Sequence, residues 1–150
     1  MYYNKVVADI AEIPNCINFF ENELISARKE VHIFGRIETQ LSMLPGITEH
    51  RYCQLQEIEA ILEYLNIELR KIRSKHFRIY LEAYARALTS RDAEKYSDAE
   101  PEVTDFENII NSVALIRNQY LGVIKAIESK NFMLGHICKL RTAGIEDSTI

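Results

Sequence analysis

The chain has 150 residues, a 47% apolar share and a net charge of −4. That is enough for one domain with a real core and too little charge bias for a disordered or uniformly basic polymer. Three prolines and five glycines interrupt it rarely, which favours long helices over strands, since strands seldom exceed about 10 residues.

In chain order, residues 1–13 carry no firm signal beyond a possible short helix over Lys5–Glu12. Pro14 sits well near a helix start, where its missing N–H costs nothing. From there Ile17, Phe20, Leu24, Ala27, Val31, Phe34 and Leu41 fall on alternating three- and four-residue steps, with Glu38 in the one polar slot. Leu44-Pro45-Gly46 is expected to end this first helix. Thr48 then reads as the N-cap of a second, longer helix with the seam Leu55, Ile58, Leu62, Leu65, Leu69 and Ile72, continuing to about Leu88. The short Pro-Gly connection predicts an antiparallel, coiled-coil-like hairpin. Because the first helix is shorter, the second beyond about Lys75 must overhang, pack on another element or meet another subunit.

Thr89-Ser90-Arg91-Asp92 has capping-box spacing and opens a short turn through Tyr96, and Ser97–Pro101 reads as a linker. A third helix follows with two apolar stripes, one through Val103, Phe106, Ile110, Val113, Tyr120, Ile124 and Ile127, the other through Ile109, Ile116 and Val123. Arg117 interrupts the first stripe. A face that broad is expected to need other subunits to cover it. Ser129-Lys130-Asn131 reads as a stop, Phe132–Arg141 as a last short helix, and Gly144 as the start of a polar tail. The expected architecture is therefore all-α, with a helical hairpin over 1–97 and a helical oligomerisation region over 98–150.

Charge is distributed unevenly. Between residues 70 and 91 lie seven basic residues against Glu82 alone, whereas the rest of the chain holds eleven basic and twenty-one acidic residues. At about 100° per residue, Arg70, Lys71, Ser74, Lys75 and Arg78 share an arc of about 140°, with Leu69, Ile72 and Ile79 placed opposite. Arg73 lies apart, toward Phe77, Tyr80 and Tyr84. Cations that track phosphates beside aromatic rings that stack on bases suit single-stranded nucleic acid. Arg70, Lys71, Arg73, Lys75 and Arg78 are the candidate phosphate contacts, with Phe77 and Tyr80 as stackers. About five such contacts imply a log–log salt slope near −3.5. On spacing alone the competing reading, a solvated coiled-coil face that meets acids elsewhere, is slightly favoured.

No phosphate-cradling glycine loop, Cys-x-x-Cys, His-Glu-x-x-His or Gly-x-Ser-x-Gly occurs, so no enzyme, cofactor or metal site is expected. His32, His50, His76 and His136 read as structural, and Glu57, Glu59 and Glu63 as solvating charges. Cys16, Cys53 and Cys138 read as buried apolar residues in a reducing compartment. The N-terminus lacks signal-peptide features and no run of 18 or more apolar residues exists, so an intracellular chain with no membrane partner is expected.

The stretch Ala126-Ile127-Glu128-Ser129-Lys130-Asn131-Phe132, with His136-Ile137, Leu140-Arg141 and Ala143-Gly144, resembles the C-terminal end of the UvsY recombination mediators of tailed phages. Leu88–Tyr96 resembles the version in phages of cyanobacteria. The resemblance spans roughly residues 50 to 144. It implies a cytoplasmic protein of an infected bacterium that forms a ring of six or seven subunits and binds single-stranded DNA. It also implies two protein partners, since such a mediator loads a phage RecA-like recombinase onto DNA coated by the phage single-strand-binding protein. Family members carry DNA-contacting basic residues in the helix before the mid-chain break, where this chain has Arg70 to Arg78; the family's Lys-x-Arg pair has no unambiguous match, and Asn131 stands where the family has a glycine. The alternative is a non-enzymatic helical adaptor or structural protein whose basic stripe meets an acidic protein.

Overall fold

A computed structural model describes residues 1–82 and 88–145. Among these residues the chain is helical without a strand: α1 (Tyr2–Ala8), a 3-10 turn (Ile10–Glu12), α2 (Ile13–Val31), α3 (Ile37–Glu82), α4 (Ser90–Asp98) and α5 (Pro101–Thr142). The predicted all-α class holds. The extension of the second helix toward Leu88, with Tyr84 and Arg86, falls partly outside the described residues.

The expected breaks move. Asp9 turns α1 into α2 in extended conformation, its carboxylate accepting from the Ala11 N–H at 2.9 Å. Pro14 lies in the first turn of α2, as predicted. The hairpin turn, however, occupies His32–Arg36, where Gly35 adopts a φ of +74°; that left-handed region favours glycine. Pro45 and Gly46 lie inside α3 instead. Pro45 faces solvent while its neighbour Leu44 is buried, so packing carries the helix through the hydrogen bond that proline cannot donate. Thr48 is consequently not an N-cap; its hydroxyl donates back to the Leu44 carbonyl at 2.8 Å.

The expected stop at Ser129-Lys130-Asn131 is likewise interior to α5, because Lys130 points inward and Leu134, one turn on, is fully buried. α3 and α5, 46 and 42 residues long, run antiparallel for about 60 Å. Arg73 meets Glu107 near one end, the Tyr52 hydroxyl donates to Glu128 midway at 3.2 Å, and Lys130 reaches Gln40 near the other. α2 runs alongside α5, with the Tyr120 hydroxyl 3.4 Å from the Phe20 carbonyl and the two rings edge to face. α1 lies on α3, where the Tyr3 N–H donates to Glu57 at 2.9 Å, so Glu57 anchors a helix and does not merely solvate one.

The core sits between α2, α3 and α5. The seam Leu55, Ile58, Leu62, Leu65 and Leu69 is buried as predicted. Both apolar stripes of α5 are covered within the protomer: Val113, Tyr120 and Ile127 are buried, and so are Ile116 and Val123. The breadth of that face therefore gives no reason to invoke other subunits, because α2 and α3 flank it. Residues from both sides of the expected 97/98 boundary join one core. Cys16 is buried as expected and Cys138 partly so, but Cys53 is exposed on the outer side of α3. Phe34, placed on the first seam, is exposed in the turn. No helix among the described residues is long and apolar enough to cross a membrane.

Candidate nucleic-acid interface

The last third of α3 lies beyond the reach of α1, whose farthest polar contact is the Val7 carbonyl to the Tyr64 hydroxyl at 3.5 Å. Its partners there are α4 and the first turns of α5. Thr89 caps α4 as predicted, donating to the Asp92 carboxylate at 2.6 Å and accepting from its N–H at 3.3 Å. Ser97, buried on the inner side of α4, donates to the Arg73 carbonyl at 3.0 Å and fastens α4 to α3.

This packing divides the five candidate cations. Arg73 is drawn inward: one Nη donates to Glu107 of α5, and its Nε lies 3.2 Å from Asp98 of α4 without hydrogen-bond alignment. It is a strut between helices, not a free phosphate contact. Lys75 stands 3.7 Å from Glu102, a carboxylate that His76 approaches more closely at 2.7 Å. The hydrogen bond from His76, with Lys75 nearby, holds the Glu102 carboxyl below its ordinary value. Lys71 pairs with Glu68 on its own helix at 2.6 Å, and that hydrogen bond raises the lysine's pKa. Arg70 and Arg78 are exposed and have no carboxylate partner among the described residues. Arg70 only approaches the Asn66 carbonyl at 3.4 Å.

Arg70, Lys71, Lys75 and Arg78 thus lie along one open face of α3, with the acid Glu82 at its end. Ile67 and Ile79 line it too and are exposed, as is Leu81, so Ile79 does not share the buried side with Leu69. The aromatics are split as well. The Tyr80 hydroxyl donates to Glu100 and its ring stacks on Tyr96 at 5.6 Å, which removes it as a free stacker. Phe77 is half-buried at the edge of a second groove, between α3 and α4.

Two features were missed in the sequence. Residues 92–107 hold seven acids against Lys95 alone, and the fold lays this acidic segment beside the basic one, so much of the local positive charge is answered internally. The other is a polar cluster inside the bundle. Buried Arg51 donates to Glu30 at 2.7 and 2.8 Å, to Glu23 at 2.8 Å and to Gln54 at 2.8 Å. Burial disfavours the Arg51 charge, but the two carboxylates outweigh it and raise its pKa. Hydrogen bonds from Gln54 and Arg51 lower that of Glu23. Nearby, the Lys130 ammonium donates to the carbonyls of Glu30 at 2.7 Å and His32 at 3.0 Å, closing the C-terminal end of α2. Both cations were visible as single charges on apolar seams, Arg51 four residues before Leu55 and Lys130 three after Ile127.

No cluster of three or more metal-ligating side chains occurs among the described residues. Comparisons with protein-family models, curated proteins and solved structures give no match.

Proposed function

We propose that this chain binds single-stranded DNA without catalysis and acts as a recombination mediator, assisting a RecA-like recombinase onto DNA coated by single-strand-binding protein. The observation that carries the DNA-binding part is the exposed face of α3, where the guanidiniums of Arg70 and Arg78, without a carboxylate partner among the described residues, stand in a row with Lys71 and Lys75. Pairing of Lys71 with Glu68 and Lys75 with Glu102 is surface pairing, screened by solvent, and yields readily to phosphate. The mediator role, its two protein partners and the ring-shaped homo-oligomer rest on the resemblance over residues 50 to 144.

With Arg73 engaged inside the protomer, four phosphate contacts remain. They correspond to a log–log salt slope of about −2.8 on single strands. Fluorescence anisotropy of a labelled oligonucleotide across a salt series measures it. Replacing Arg70, Lys71, Lys75 and Arg78 by Ala abolishes binding on this reading; a flat salt response, or unchanged affinity in that variant, overturns it.

The exposed Ile67, Ile79 and Leu81 among the cations favour one other reading, docking of an acidic amphipathic helix from a partner protein. That reading predicts no oligonucleotide retention at low salt and stoichiometric binding of a synthetic acidic amphipathic helix.

A further inference from the structure

The groove between α3 and α4 adjoins the cation face directly: Ser74 lines both concavities. Its volume is about 460 Å³, within the range of roughly 300–1,000 Å³ typical of small-ligand sites. Phe77 provides an apolar ring at its wall. Of the polar groups around it, Ser97 is committed to the Arg73 carbonyl, while Asp98 is ion-paired to the Arg73 guanidinium without a hydrogen bond. Arg91 and Glu94, both exposed, make no ion pair among the described residues. The groove therefore combines the Phe77 ring with a free donor in Arg91 and a free acceptor in Glu94, and it shares Ser74 with the cation face.

We infer that this groove receives one nucleobase, stacked against Phe77 with its edge between Arg91 and Glu94, while the strand's phosphates follow Arg70, Lys71, Lys75 and Arg78. This rests on the DNA-binding reading and adds base preference to it. A carboxylate accepts well from an exocyclic amine, as in pairing with the N4 amine of cytosine, whereas thymine has none to offer. The site thus favours cytosine over thymine, and the preference resides in Glu94 and not in the cation face.

The test is competition between oligo-dC and oligo-dT of equal length for the full chain at one salt concentration, with a salt series for each. Oligo-dC binds several-fold more tightly, with the same slope for both. Glu94→Ala erases the difference and leaves the slope intact. Phe77→Ala weakens both by about tenfold through lost stacking; since Phe77 is half-buried, the exposed Glu94 variant carries the test if that protein misfolds. Equal affinity for both oligomers with the expected slope retained overturns the groove and leaves the cation face standing. Failure to retain either oligomer at low salt overturns both.

Discussion

Replacing Lys130 by Met tests the placement of the α2–α3 turn. Lys130 is 4% exposed, and its ammonium donates to the carbonyls of Glu30 and His32 and, at 2.5 Å, to Gln40. A hydrogen bond to a charged donor contributes about 1.5–3 kcal/mol, and a buried acceptor left without one costs about 1–3 kcal/mol. Against this, Met sheds the desolvation of an ammonium and keeps most of the packing. A net loss of about 2 kcal/mol remains, which for a chain of this size lowers Tm by about 4–8 °C. Thermal unfolding followed by far-UV circular dichroism reads it, with exposed Lys125→Met as a control expected within about 0.5 kcal/mol of the parent. pH adds a second readout. Burial holds the Lys130 pKa below its ordinary 10.5, so in the window beneath 10.5 the folded chain binds fewer protons than the unfolded one. Stability from this group therefore rises with pH there, and the gap between parent and Lys130→Met widens as the solution becomes alkaline. A Tm within about 1 °C of the parent refutes the buried cap, and a gap that narrows on raising pH refutes the lowered pKa.

Three further outcomes follow from the same geometry. Arg51→Ala strands Glu23 and Glu30, which are about a third exposed; the loss is about 2–4 kcal/mol, at or below the usual figure for breaking a buried pair. Because Glu23 has a lowered pKa, its contribution is present above the ordinary 4.5 and lost as pH falls through the folded value, so acid titration of stability is shallower in the variant. Gly122→Ala and Gly135→Ala add a Cβ that meets nothing within 4 Å in mid-helix; each raises stability by about 1 kcal/mol in thermal melts, and a fall in Tm at either site contradicts an open face there. The Cys16 thiol, buried and pushed up to about 12 by burial and by Glu57, stays silent to a thiol reagent until the chain unfolds, while Cys53, whose thiol is also raised by its hydrogen bond to Glu49 but is exposed, reacts slowly in the native state; native modification of Cys16, located by mass spectrometry, is the contrary result.

Periodicity made the helical class and the core seams of α3 and α5 legible, because apolar residues repeated over about five to seven turns leave only one way to be buried. Helix ends were less legible. Pro45-Gly46 and Ser129-Lys130-Asn131 are local stop signals, but their cost is a few kcal/mol at most, and burial of Leu44 and Leu134 beside them overrides it. The turn at His32–Arg36 owes its position partly to Lys130, about a hundred residues away, and no local pattern encodes that. The candidate site was half legible for a similar reason. A helical wheel places Arg70 and Arg78 on an open face, but it cannot foresee that α4 and α5 bring Asp98, Glu102 and Glu107 to Arg73, Lys75 and His76.

That internal neutralisation constrains how the proposed activity works. Seven acids in residues 92–107 lie next to the basic stretch, so a strand approaching the α3–α4 side meets nearly balanced charge, and attraction is confined to the face carrying Arg70 and Arg78. Four cations on about three turns of one helix, two of them already weakly paired, support only modest affinity per protomer. Tight binding on this surface thus requires several protomers to engage one strand, where tethering multiplies affinity without new contacts. The requirement is independent of the two apolar stripes of α5, which pack inside the protomer. It makes affinity depend on oligonucleotide length: a strand that spans one protomer dissociates readily, and one that spans several is retained. A monomer that held short and long strands equally would break the link between this face and the mediator role.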